Sequence, residues 1–202
     1  MSGFSGASGG NVTGAASSTD GDFALFNGTT GKILKDSNVA IATAAQFKAG
    51  TANKIVDGAA LANVPSFSVH KNGTDQTGIA DSTFTAVTWS TELYDVGNYF
   101  ASNGWTPPAG KIHLDCGLFI SATVVTGNQI AISIFKNGVA YKNGNWIASS
   151  ILGGGSALIG FDDIANGSDV YTVQIFVDTS SGTATVSGNT ALSFFTGHWI
   201  SP

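Results

Sequence analysis

The sequence predicts an all-β protein: an antiparallel sandwich or barrel that follows an extended N-terminal segment. Three observations predict it. Apolar side chains alternate with others over short runs, the period of a strand. Asn-Gly and similar dipeptides, which tolerate positive φ, punctuate those runs. The composition starves helices: 27 of 202 residues are Gly, all eight basic residues are Lys, and of thirteen acids only Glu92 is Glu. Long helices and coiled coils draw on Glu, Lys, Arg and Leu.

The elements follow in chain order. Residues 1–20 are almost wholly Gly, Ser, Ala, Thr and Asn, with Phe4 and Val12 as larger apolar side chains. Such a segment buries too little surface to order alone. Residues 21–64 alternate short apolar pieces with turns: Phe23 to Phe26, then Asn27-Gly28, then Lys32-Ile33-Leu34-Lys35-Asp36. A weak echo, Lys54-Ile55-Val56-Asp57, comes 22 residues later. Ala40 to Ala49 reads as a short helix stopped by Gly50. This part is predicted to pack against copies of itself, so the boundary is placed between residues 1–64 and 65–202.

In the second part the alternation is clear. Ile112, Leu114, Cys116, Leu118 and Ile120 share one strand face; His113, Asp115, Gly117 and Phe119 share the other. Ile130, Ile132 and Ile134 alternate with Ala131, Ser133 and Phe135; Val173, Ile175 and Val177 alternate with Thr172, Gln174 and Phe176. Turns are predicted at Asn72-Gly73, Asn103-Gly104, Gly127-Asn128, Asn137-Gly138, Asn143-Gly144, Asn166-Gly167 and Ser181-Gly182. Phe119, Phe135 and Phe176 put aromatics on faces that a monomeric sandwich leaves polar, which points to burial against a neighbouring subunit.

Several functions are excluded. With a formal net charge of −5 and no Arg, the chain has neither the basic footprint nor the guanidinium fork of a nucleic-acid binder. No stretch reaches the ~18 apolar residues of a membrane-spanning helix. The N-terminus MSGFSGASGG lacks the basic start and apolar core of a signal peptide. The lone Cys116 sits in an apolar run and reads as a small buried hydrophobe. The sequons at Asn11, Asn27, Asn72 and Asn166 read as turn chemistry.

The stretch 66–202 resembles the globular head of complement-type and tumour-necrosis-factor-like proteins, a ten-stranded jelly roll that assembles as a trimer. Its pieces come in the family's order: Phe67-Ser68-Val69; Phe84 to Trp89; Tyr99-Phe100; Trp105-Thr106-Pro107-Pro108-Ala109-Gly110 before a long central strand; Ile134 to Gly138 as the mid-domain hairpin; Asp169-Val170-Tyr171; and Phe194 to Ile200 as the last strand. Ser168 stands where the family has Gly, and Lys111-Ile112 replace the aromatic pair common after the central Gly. Asp22 to Ser37 resembles a segment recurrent in bacteriophage tail-fibre and tailspike proteins. Together these resemblances imply a tail or head fibre, with an attachment and stalk segment before a homotrimeric knob. The implied partners are other virion proteins, through the N-terminal segment, and a polysaccharide or outer-membrane receptor on the host surface. The implied location is the virion, and no cofactor is implied.

The residues themselves offer little catalysis. Gly28 to Lys32 is no phosphate loop, because that motif needs Gly where Phe26 stands and Ser or Thr where Ile33 stands. Gly153-Gly154-Gly155 lacks dinucleotide spacing and reads as a flexible loop. His113 and Asp115 project together and with a Ser would imitate a triad; the other reading is a satisfied polar patch. Asp162-Asp163 with Asp169 is the one acid cluster, readable as calcium ligands, a glycosidase pair or a solvated loop. Neighbouring carboxylates in a strand face opposite ways, which weakens the pair.

Aromatics carry the binding signal, because sugars stack apolar C–H faces on rings while amides take their hydroxyls. Tyr141-Lys142-Asn143-Gly144-Asn145-Trp146 has that composition and is predicted to be a loop at a tip. Tyr141, Asn143, Asn145 and Trp146 are the candidate ligand-binding residues, with core or interface packing as the other reading of Trp146. Asn98 and Asn103, around Tyr99, form a second candidate. Trp105 and Trp199 are expected in the core and Trp89 in packing. The expected function is non-catalytic adhesion; the alternatives are a capsid or baseplate decoration protein and a capsule-degrading depolymerase.

Overall fold

A computed structural model describes residues 22–26, 34–42, 46, 54–56, 63–121, 129–147, 154–179 and 184–202. The chain divides into two units, Met1–Ala62 and Asn63–Pro202.

In the first unit, β1 (Asp22–Phe26) pairs antiparallel with β2 (Leu34–Ala42), which pairs in parallel with β3 (Lys54–Val56). Ala40, Ile41 and Ala42 lie opposite Lys54, Ile55 and Val56. The helix expected from Ala40 therefore does not start there. A strand paired along both edges satisfies its backbone polar groups, and that pairing overrides a local helix preference. Gln46 is helical; the rest of the expected helix, residues 1–20, the Gly28–Lys32 stretch, and the turns at Gly127-Asn128 and Ser181-Gly182 lie outside the described residues.

The second unit is an antiparallel two-sheet sandwich. One sheet contains β4 (Ser66–His70), β5 (Gln76–Ile79), β7 (Thr91–Val96), β10 (Gly110–Ser121), β13 (Gly155–Ala165), β15 (Ala184–Val186) and β16 (Phe194–Ser201). The other contains β6 (Thr85–Ala86), β8 (Phe100–Ala101), β9 (Gly104–Trp105), β11 (Ile130–Lys136), β12 (Val139–Ile147) and β14 (Tyr171–Val177). From β9 onward the chain crosses between sheets at almost every connection: β10 in the first, β11 and β12 in the second, β13 in the first, β14 in the second, β15 and β16 in the first. That alternation is the jelly-roll topology.

The long central strand β10 has β13 on one edge and β16 on the other. Its residues Ile112, Leu114, Cys116, Leu118 and Ile120 are all buried, as are Ile130, Ile132, Ile134, Val173, Ile175 and Val177 of the other sheet. Burial of side chains this size contributes roughly 1.5–3 kcal/mol each. An aromatic cluster closes one end. Phe67 stacks on Phe100 at 5.0 Å and meets Trp105 at 4.9 Å and Phe195 at 4.8 Å. Trp105 and Trp199 are buried as expected.

Several expectations change in detail. Of Phe84 to Trp89 only Thr85–Ala86 forms a strand. Gly155 opens β13, so the triple glycine does not read through as a loop. The aromatic second face of β11 and β14 is covered by the chain itself: Phe84 meets Phe135 at 5.3 Å and Phe176 at 5.4 Å. Those two residues need no neighbouring subunit.

Candidate functional site

The segment Tyr141 to Trp146 is not a tip loop. It lies inside β12, paired with β11 through Ile134↔Lys142, Ser133↔Asn143 and Ala131↔Trp146, with two register shifts. Asn143-Gly144 is correspondingly not a turn. A Cβ on Gly144 would run into the Ile132 side chain and the Leu158 carbonyl oxygen. Glycine is there to let β12 pass close to β13, not to supply positive φ.

The strand presents Tyr141, Asn143 and Asn145 to solvent, and each also has a structural bond. The Tyr141 hydroxyl donates to Asp163 Oδ1 at 2.8 Å. Its ring lies 5.1 Å from Lys136 Nζ and 5.0 Å from Lys142 Nζ. The buried Ser133 hydroxyl donates to Asn143 Oδ1 at 2.5 Å. Asn145 acts as a backbone mimic: its Oδ1 accepts from the Leu158 N–H and its amide donates to the Ser156 carbonyl. Trp146 belongs to the same strand, but its side chain lies outside what the structure describes.

The acid cluster resolves into two separate ion-pair systems. Asp163 and Asp169 both hold Lys136, at 3.0 and 3.2 Å. Tyr171 donates to Asp163 Oδ2 at 2.8 Å and Asn137 donates to Asp169 Oδ1 at 2.8 Å. Burial alone would raise the Asp163 carboxyl; hydrogen bonds from Tyr171, Lys136 and Tyr141 outweigh it and hold the pKa below the usual value. Asp169 is lowered in the same way, with Asn137, Asn166 and Lys136 overcoming its burial. Burial works against the Lys136 charge, but Tyr171, Asp163 and Asp169 raise its pKa above that of an ordinary lysine.

Asp162 faces the other way. His113 Nδ1 lies 2.6 Å from Asp162 Oδ1, and its Nε2 lies 2.8 Å from Asp115 Oδ2. With both ring nitrogens on carboxylates, the imidazole is a bridge and not a base for a serine. The Asp115 partner follows from spacing two along the strand. Asp162 follows from the register of β10 on β13, which pairs His113 with Asp162 and which no local pattern reveals. Burial pushes the Cys116 thiol well up, so it is no nucleophile.

On the second candidate, the Trp89 backbone N–H donates to Asn103 Oδ1 at 2.8 Å. Trp89 packs as expected, its ring stacked on Phe195 at 5.9 Å, and is half-buried. Asn98 and Tyr99 form a turn capped by Asp95, which accepts from the N–H groups of Tyr99 and Phe100.

No protein-family model matches the chain, and no curated protein matches it in sequence. Among solved structures it is similar to murine APRIL at pH 8.0, with 14% identity over 67% of this chain and 98% of that one, TM-score 0.49. It is also similar to the globular domain of zebrafish complement 1qA protein, with 14% identity over 68% and 97% and a TM-score of 0.44. Eiger TNF from S. frugiperda shows 10% identity over 68% and 93%, with a TM-score of 0.44.

Proposed function

We propose that the chain is a bacteriophage fibre protein. Residues 1–64 attach it to other virion proteins, and residues 65–202 form a homotrimeric knob that adheres without catalysis to a host-surface receptor, a polysaccharide or outer-membrane component. The observation that carries adhesion is the strip on β12. It sets an exposed tyrosine ring, cushioned by two lysines, in line with two exposed asparagine amides. Trp146 is the fourth member of the proposed site.

A depolymerase reading has less support. Glycoside cleavage needs one carboxyl that stays protonated near neutrality. Asp163 and Asp169 are both lowered and share Lys136; Asp115 and Asp162 share His113.

The test is binding of the purified full chain to host cells and to an array of host polysaccharides. Tyr141→Ala and Trp146→Ala are expected to weaken host binding by tenfold or more while the assembled mass stays unchanged. Unchanged binding in both variants would refute this site. No binding to any cell or glycan would refute adhesion and favour a decoration protein. Release of new reducing ends from capsule would favour the depolymerase.

A further inference from the structure

Away from the β12 strip, an aromatic ring and unengaged polar groups converge in one more place. A cleft of about 280 Å³ opens beside β7, lined by Trp89, Ser90, Thr91, Glu92, Phe100 and Asn103.

Its walls are fixed from several directions. Trp89 stacks on Phe195 at 5.9 Å, and Phe100 stacks on Phe67, so both cleft aromatics belong to the core cluster. The buried Lys71 ammonium donates to the Thr88 carbonyl at 2.8 Å, just before Trp89. Asn103 Oδ1 takes the Trp89 backbone N–H, as described above. Ser102 and Asn103 hold φ of 52° and 64°. Non-glycine residues keep that conformation only where their surroundings impose it, and such positions gather at ligand sites.

The polar groups around the ring are uncommitted. Among the described residues, the hydroxyls of Ser90, Thr91 and Ser102, the Glu92 carboxylate and the Asn103 amide nitrogen have no partner within the chain. No cation lines the cleft, and Glu92 is its one charge. A sugar ring offers an apolar C–H face for the indole, hydroxyl donors for Glu92 and acceptors for the Asn103 amide. A uronate, sulfate or phosphate would meet the Glu92 carboxylate unscreened. The volume falls just below the roughly 300–1,000 Å³ of typical ligand pockets, which suits a single sugar unit.

We propose that the Trp89 cleft is a binding subsite for one uncharged saccharide unit of a host-surface glycan. The subsite rests on the adhesion reading and is separate from the β12 strip.

Saturation-transfer NMR on the full chain tests it, with the methyl glycosides of glucose, galactose and N-acetylglucosamine set against methyl glucuronide. At least one neutral glycoside is expected to bind and the glucuronide not to. Thr91→Val removes a hydroxyl from an outer position, and Glu92→Gln removes the charge. Asn103→Asp keeps the acceptor for the Trp89 N–H and the tolerance of positive φ, but loses the donor. Each is expected to weaken neutral-glycoside binding about tenfold, the scale of one hydrogen bond left unmade. Neutral-glycoside binding unmoved by all three variants overturns the subsite, as does equal binding of the glucuronide. Host-cell binding that persists with no glycoside bound overturns the subsite and leaves adhesion standing. No binding to cells or to any sugar overturns both.

Discussion

The surroundings of His113 constrain its protonation from three strands. Asp162 comes from β13, Asp115 from its own strand, and the His198 ring of β16 lies 5.4 Å away. Only the doubly protonated ring donates to both carboxylates. The hydrogen bond to Asp162 raises the pKa; partial burial opposes it, and Asp115 adds to the rise. The folded pKa thus lies above the unfolded value of about 6.5, and the stabilisation is complete below that value. It is lost as pH rises through the raised folded pKa. The ring protons of His113 should titrate in NMR with a midpoint above 6.5, and Asp162→Asn should lower it. A wild-type midpoint at or below 6.5 would show that the bridge does not form in solution. The sequence displays half of this site. Asp115 is visible two residues along the same strand, whereas Asp162 is reached only through a pairing 49 residues distant. The Trp89–Asn103 contact shows the same limit, because β7 and β8 lie between its two residues and no periodicity encodes how the chain returns.

At the scale of elements, β10, β11 and β14 were legible because each buries an alternating apolar row, and that row is written directly in the sequence. Strand β12 was not. Tyr141-Lys142-Asn143-Gly144-Asn145 has no such row, and its conformation is imposed by pairing with β11 and by the Asn145 bonds to β13. Two glycines separate these cases. Gly138 sits in the β11–β12 turn at φ 77° with open space where a Cβ would go. Its replacement by Ala costs only the left-handed backbone, about 1–2 kcal/mol. Gly144 has Ile132, Ile159 and the Leu158 carbonyl crowded against it, so Ala there forces β12 away from β13. Overpacking of that kind costs about 1–3 kcal/mol, and the Asn145 bonds are broken with it. Thermal denaturation should therefore rank Gly144→Ala as the less stable variant. The opposite order would mean that β12 does not lie against β13.

Across the molecule, the shortage of charge acquires a location. The outer face of the β10 sheet runs in cross-strand rows. Asp162, His113 and His198 form one; Gly160, Asp115, Thr196, Ser68 and Tyr94 form the next; Leu158, Gly117, Phe194 and His70 form a third. In the first two, the His113 bridge engages both carboxylates. In the third, Leu158 is 57% exposed beside a depression of about 420 Å³ that it shares with Phe194, Thr196 and Asp115. With Phe84 already covering the aromatics of the other sheet, this face is the predicted meeting surface of the proposed trimer. A closed assembly would also cover the β13 edge of the sheet and leave the cleft beside β7 open. Weak sugar sites repeated on three subunits would then act together, since linked sites gain from effective concentration. Native mass measurement of the full chain at micromolar concentration should give three copies. Leu158→Asp places a second carboxylate next to Asp115 on that face and should yield single copies with an unchanged β-sheet circular dichroism spectrum. A wild-type monomer would refute the trimer. A variant that stays trimeric would move the interface to another face and return Leu158 to the free surface.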